Sequence, residues 1–216
     1  MSVSTLRQIA KTNTSNKLVE FNDKLQPNIF GEAGVEKSSP HGKYSRVEVT
    51  IVDFSNGKKE KAIVGTYNLS PDFAKLIAHL VITGNTSEFE KPDKNLGVTG
   101  VAEQKINHYK VDDLGYSPVS KFVTRIQPQM NSPWTITIEN GKGKAEKSTI
   151  GGISIAKGTY VKENSCTIYI STREMLKLMI TLNDYINNFE FWMFKPMIEK
   201  RTEIEKNQRE DSKVSS

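Results

Sequence analysis

Residues 21–29 read FNDKLQPNI, and residues 122–130 read FVTRIQPQM. A Phe, a basic residue three positions on (Lys24, Arg125), then Leu or Ile, Gln, Pro, an amide and an apolar residue recur with a spacing of 101. A second echo follows in the same order. YNLSPDFAKLIAHL at 67–80 aligns with YISTREMLKLMITL at 169–182 with a spacing of 102. Apolar residues at 73, 76, 77 and 80 then meet apolar residues at 175, 178, 179 and 182. Two matches in nearly one register argue for an internal duplication, with a period far longer than a solenoid repeat. The expected fold is α+β: a duplicated unit of antiparallel strands followed by a helix, arranged about a pseudo-twofold axis.

Working outward, the first unit spans 18–84 and the second 119–195, within one pseudo-symmetric domain at 18–195. YSRVEVTIVDF at 44–54 is the clearest strand, with Val47, Val49 and Ile51 on one face and Arg46, Glu48 and Thr50 on the other. Asn56-Gly57 is a hairpin signal, because this pair tolerates positive φ. Ser70, Pro71 and Asp72 punctuate a helix start, and Phe73, Leu76, Ile77 and Leu80 form its apolar stripe. In the second unit WTITIEN, STIGGISIA, GTYVK and SCTIYIS read as strands, and GKGKAEK as an exposed basic turn. Ser171 and Glu174 have capping-box spacing before a long stripe from Met175 to Met193, which Pro196 kinks or ends. Residues 1–17 read as a flexible arm, 85–118 as a polar linker with room for a short helix near VAEQKINHY, and 196–216 as a charged tail.

The 216 residues carry a net charge of +5, which mildly favours polyanions. A hydrophobic fraction of 36% and a mean hydropathy of −0.50 suit a soluble globular chain. No apolar run approaches a membrane span, and the first sixteen residues lack the apolar core of a secretory signal. The single Cys166 cannot form an internal disulfide, which fits a reducing, cytoplasmic setting.

No catalytic set emerges. His41, His79 and His108 are scattered without metal-ligand spacing, and Asp112-Asp113 is an isolated acidic pair. Cys166 has no basic partner nearby in sequence to activate it. GKGKAEKS fails as a phosphate loop, because Glu146 stands where the second Gly is required. No cofactor is expected. What remains is binding chemistry. Lys58, Lys59 and Lys61 cluster in one half, and Lys142, Lys144 and Lys147 in the other. Lys24 and Arg125 hold equivalent places in the repeat, and Arg46 lies on the polar face of its strand. Tyr44, Trp134 and Tyr160 lie among these cations. Cations for phosphates and aromatics for base stacking are what a single-strand binder needs. Each such residue also has a plain structural reading, lysine as an exposed-edge residue and aromatic as core. Trp134 in particular shares a parity with Ile136 and Ile138, a core pattern.

A duplicated strand-rich unit ending in a helix, with Leu-Gln-Pro at 25–27 and Ile-Gln-Pro at 126–128, resembles the Whirly family of single-stranded DNA-binding proteins. It is also similar to the transcriptional positive cofactor four and to the kinetoplastid guide-RNA-binding proteins. The resemblance covers roughly residues 18–195 and rests on architecture more than on letters. Whirly proteins carry a KGKA segment on their first strand; here Lys142-Gly143-Lys144-Ala145 falls in a hairpin of the second unit. The resemblance implies two four-stranded sheets, single strands bound along sheet faces and edges, and helices packing subunits into a tetramer.

The expected function is sequence-tolerant single-stranded DNA binding in replication, recombination or repair, without catalysis. The expected partners are single-stranded DNA or RNA and further copies of the chain as a dimer or tetramer, with no membrane. The alternatives are a self-associating structural or assembly protein, such as a phage or scaffold component, and a single-stranded RNA binder.

Overall fold

The computed structural model describes residues 7–25, 45–57, 59–94, 96–147 and 152–214. The fold is α+β, with mostly antiparallel sheets and, among the described residues, two α-helices. The first sheet is an antiparallel meander of β1 (Gln8–Asn13), β2 (Lys17–Lys24), β3 (Arg46–Asp53) and β4 (Ile63–Leu69). Strict alternation buries Val19 and Phe21 of β2, Val47, Val49 and Ile51 of β3, and Tyr67 and Leu69 of β4. The β3–β4 connection turns at Gly57, whose φ of 119° belongs to a conformation that side chains rarely adopt. Helix α1 (Pro71–Ile82) follows directly, with Pro71 in its first turn.

The second four-stranded sheet has the order β7-β8-β9-β12: β7 (Val101–Ile106), β8 (Ser117–Ile126), β9 (Trp134–Gly143) and β12 (Val161–Ile170). Two short ribbons decorate it. One joins β5 (Pro92–Asp93) to β6 (Val98–Thr99), and the other joins β10 (Ala145–Lys147) to β11 (Ile153–Ile155). Helix α2 (Thr172–Val214) closes the chain.

One core joins both sheets and both helices. Phe21, Leu69 and Ile77 of the first half meet Phe122, Ile136 and Met179 of the second. The sheets approach closely at Gly65 of β4, where a Cβ would lie 3.2 Å from the Cβ atoms of both Cys166 and Ile138. Tyr67 and Phe122 pack with ring centroids 5.8 Å apart. Lys17 ties the layers at the rim, donating to the Thr167 carbonyl at 2.8 Å while pairing with Asp53 at 2.8 Å. The helices are linked by Lys75 and Glu190 at 2.7 Å. Among the described residues, no helix is long and apolar enough to cross a membrane.

Four expectations need correction. Residues 8–13 are a paired strand, part of no arm: Ala10 and Thr12 point inward, and Thr14 N donates to the Lys17 carbonyl to close the β1–β2 hairpin. Two small inward residues suffice for an edge strand, so composition hid it. The described residues of 85–118 are structured. It carries a 3₁₀ turn (Thr86–Phe89), and Phe89 is buried edge-on against Trp134 with centroids 4.9 Å apart. VAEQKI is strand β7, not a helix, and the second sheet begins there. Its inward positions include Glu103 and Lys105 at the margin, which masked the alternation. Pro196 does not end the helix, since α2 runs through it to Val214. A proline removes one donor and crowds one carbonyl, and the Glu, Lys, Arg and Gln that follow are strong helix formers.

The fourth correction is one of register. Ser70 and Ser171 are the structural N-caps, so the helices align with a spacing of 101, not 102. Buried Ala74, Ile77, Ala78 and Val81 then match buried Met175, Leu178, Met179 and Leu182. The same spacing matches Phe21 with Phe122, Gly65 with Cys166, and Leu69 with Ile170. The pairing within the sheets differs by two residues: Val49 stands between Phe21 and Tyr67, whereas Ile138 stands between Phe122 and Cys166. A slip of two keeps every inward side chain inward. Pro128 sits in the turn after β8, and its counterpart Pro27 lies outside the described residues.

Candidate nucleic-acid interface

The twelve residues singled out in the sequence do not form one surface. Tyr44 and Lys58 lie outside the described residues, as does the side chain of Lys59. Trp134 is 1% exposed and belongs to the core, so it is no contact residue. Lys24 and Arg46 are cross-strand neighbours at one end of the first sheet; Lys24 pairs with Glu48, and Arg46 Nη1 donates to the Ser45 carbonyl at 2.7 Å. Lys61 is exposed at the opposite end of β3, after the turn. Arg125 donates from Nε to Thr135 Oγ1 at 3.3 Å, toward the far end of the second sheet. Lys147 is exposed on β10.

Lys142, Lys144 and Tyr160 do come together, at the end of the second sheet where the β7–β8 turn (107–116) meets the end of β9 and the start of β12. Asp112 builds that turn. Its Oδ1 accepts from Tyr116 N at 2.8 Å and Leu114 N at 3.0 Å. The Tyr116 amide, above all, holds the Asp112 carboxyl below the usual carboxylate range. The turn presents the Tyr116 ring to two ammonium groups: Lys142 Nζ lies 5.4 Å and Lys144 Nζ 5.3 Å from its centroid. Lys142 also reaches Asp112 at 3.4 Å. At the same end, on the opposite face by strand alternation, Lys121 Nζ sits 4.1 Å over the Tyr160 ring. Position 141 is glycine: a Cβ there would stand 2.3 Å from the Val161 carbonyl oxygen, and 3.1 Å from the tyrosine's Cε2. Burial, reinforced by Glu139 and Glu163, pushes the Tyr160 hydroxyl up and keeps it protonated.

On the face opposite Lys121, the face that by strand alternation also carries Lys142, runs a polar row across all four strands: Lys105, Ser120, Asn140 and Asn164 stand in register. It lies one step beyond the core row of Phe122, Ile138 and Cys166. With Thr66 of β4 as a wall and Asn107, His108, Tyr109 and Glu163 at the rim, it forms an open cleft of about 470 Å³. The His108 and Tyr109 rings pack with centroids 4.0 Å apart, and Tyr109 is 86% exposed. Lys105 anchors the inner end. Its ammonium reaches the Asn68 carbonyl, lies 5.1 Å over the Tyr67 ring and 3.7 Å from Glu103. Burial lowers the pKa of Lys105, and Arg46 adds in the same direction.

Reading the sequence missed Lys105, His108, Tyr109, Tyr116 and Lys121. Four of the five lie within the stretch taken for a linker. The available signal was aromatic residues among charges in a supposedly idle loop, as in NHYK at 107–110. Elsewhere, burial pushes the Cys166 thiol up, which keeps it an inert core residue. Beyond Phe189, which packs on the core, α2 exposes Phe191 (76%), Trp192 (75%), Phe194 and Ile198.

Comparisons with protein-family models, with curated proteins and with solved structures find no match to this chain.

Proposed function

We propose that this chain is a duplicated, Whirly-like, sequence-tolerant binder of single-stranded nucleic acid, DNA first, acting without catalysis. The observation that carries the reading is the clustering of cations and rings at one end of the second sheet: Lys142 and Lys144 near the Tyr116 ring on one face, and Lys121 over Tyr160 on the other. Such clusters place phosphate-binding ammonium groups close to aromatic rings. Every base has a π-face, so they tolerate any sequence, and each base stacked is worth about 1–3 kcal/mol. The likeness in element order between the halves, with a spacing of 101 at both strands and caps, supports the duplicated reading.

The exposed Phe191, Trp192, Phe194 and Ile198 support self-association through α2. Large contiguous apolar patches on a soluble protein mark interaction sites. The same patch is what favours the alternative, an assembly protein with no nucleic-acid role. Gel shifts with single-stranded DNA, duplex DNA and single-stranded RNA side by side separate the two. The binder retards single strands at low salt and loses them as salt rises; the assembly protein retards none of the three.

A further inference from the structure

The cleft between the two sheets differs in chemistry from the lysine-rich corner beside it. Its floor is amide and hydroxyl: Ser120 and Asn140 line it, and Asn164 stands beside Asn140 in the same cross-strand row. Asn140 Nδ2 donates to Asn164 Oδ1 at 3.2 Å, which leaves the Asn140 carbonyl oxygen as an acceptor and the Asn164 amide nitrogen as a donor. Glu163 lines the same cleft, without a cationic partner among the described residues. The Tyr109 ring, exposed and packed against His108, offers a stacking face at the rim. With Lys105 engaged by the Asn68 carbonyl and Glu103, the Glu163 carboxylate disfavours phosphate, so the cleft suits a base, while the sugar-phosphate chain runs past Lys142 and Lys144 at its open end.

Resting on the single-strand reading, we propose that this cleft takes one unstacked guanine, stacked on Tyr109 and read by Glu163 and the asparagine row. The choice of base follows from hydrogen-bond polarity. A carboxylate only accepts. Guanine alone among the bases presents two adjacent donors, N1–H and N2–H, to one carboxylate, with O6 beside them to accept from an amide N–H. Adenine and cytosine place a ring-nitrogen lone pair next to their amino group, and thymine flanks its single N–H with two carbonyls. Reading a splayed base by its Watson–Crick edge while stacking it on an aromatic side chain is a usual mode for single strands.

The test is fluorescence anisotropy with labelled all-thymine 15-mers carrying one central guanine, adenine, cytosine or hypoxanthine, against the parent and Glu163→Gln, with circular dichroism confirming the fold of the variant. The guanine oligonucleotide should bind about tenfold more tightly than the all-thymine one, as good bidentate pairs discriminate. Hypoxanthine, which lacks the 2-amino group, should lose most of that gain. Glu163→Gln should bind the guanine oligonucleotide no more tightly than all-thymine. If the parent binds all five alike, with a normal salt dependence, this proposal falls and the single-strand reading stands. If a guanine preference survives in Glu163→Gln, the assignment of the carboxylate is wrong. If the parent binds none of them at low salt, the single-strand reading fails and this proposal with it.

Discussion

Ser70 and Ser171 stand 101 residues apart and cap their helices alike: Ser70 Oγ accepts from Phe73 N at 3.3 Å, and Ser171 Oγ from Glu174 N at 3.3 Å. Each cap fixes where its helix leaves the sheet, and so which residues face the shared core. Ser70→Ala and Ser171→Ala should each cost about 1 kcal/mol, measured by urea unfolding. The two should add, because the caps share no partner. A loss at one position only would show that the two helix starts are not equivalent.

The close approach of the sheets at Gly65 gives a second prediction. A Cβ there meets Cys166 and Ile138 at 3.2 Å, with both neighbours fully buried. Gly65→Val should destabilise the chain by about 1–3 kcal/mol through overpacking. Gly152→Ala, where nothing lies within 4 Å, should stay within about 0.5 kcal/mol of the parent. Equal melting temperatures for parent and Gly65→Val would contradict this packing.

Asp53 supplies a pH signature. The Lys17 ammonium, then the Ser55 hydroxyl and amide, lower its pKa to about 2. A depressed carboxylate contributes stability that is present above its unfolded pKa of about 4 and is lost as pH falls through the folded value. Near neutrality the contribution should be about 1 kcal/mol, because solvent at the rim screens part of it. Asp53→Asn should therefore melt lower than the parent at pH 6, and the gap should close between about pH 4 and pH 2. A gap that is constant across that range would remove the ion pair from the account.

Assembly is testable through α2. The parent should scatter light as a dimer or tetramer, and Phe191→Ser with Trp192→Ser and Phe194→Ser should shift it toward the monomer without unfolding it. Those side chains lie outside the core, as their exposure shows. A monomeric parent would leave the patch without its proposed partner.

Much of the fold was legible because period-2 alternation survives wherever both neighbours are strands. Val47, Val49 and Ile51, or Ile136 and Ile138, announce their faces directly. Legibility failed at the margins of the core. β1 buries only Ala10 and Thr12, and β7 turns Glu103 and Lys105 inward, so neither looks like a strand. The cap serines stand 101 residues apart, as the strand echoes do, but four identical letters drew the helix alignment to 102. The site suffered for the same reason. Lys142, Lys144 and Tyr160 stood out as residues, yet the groups that complete their surface sit in the turn after β7, which could be placed only once β7 was known to be a strand. Trp134 shows the converse, an aromatic whose parity already pointed to the core it occupies.

The most direct test is the salt dependence of oligonucleotide binding by the parent, by Lys142→Ala with Lys144→Ala, and by Lys61→Ala at the distant hairpin. Each phosphate contact to a single strand contributes a slope of about −0.7 in log K against log salt. The double variant should bind more weakly, with a slope flatter by about 1.4, while Lys61→Ala keeps the parent's slope. A double variant that remains folded and binds as tightly as the parent, with the same slope, would contradict the proposed surface.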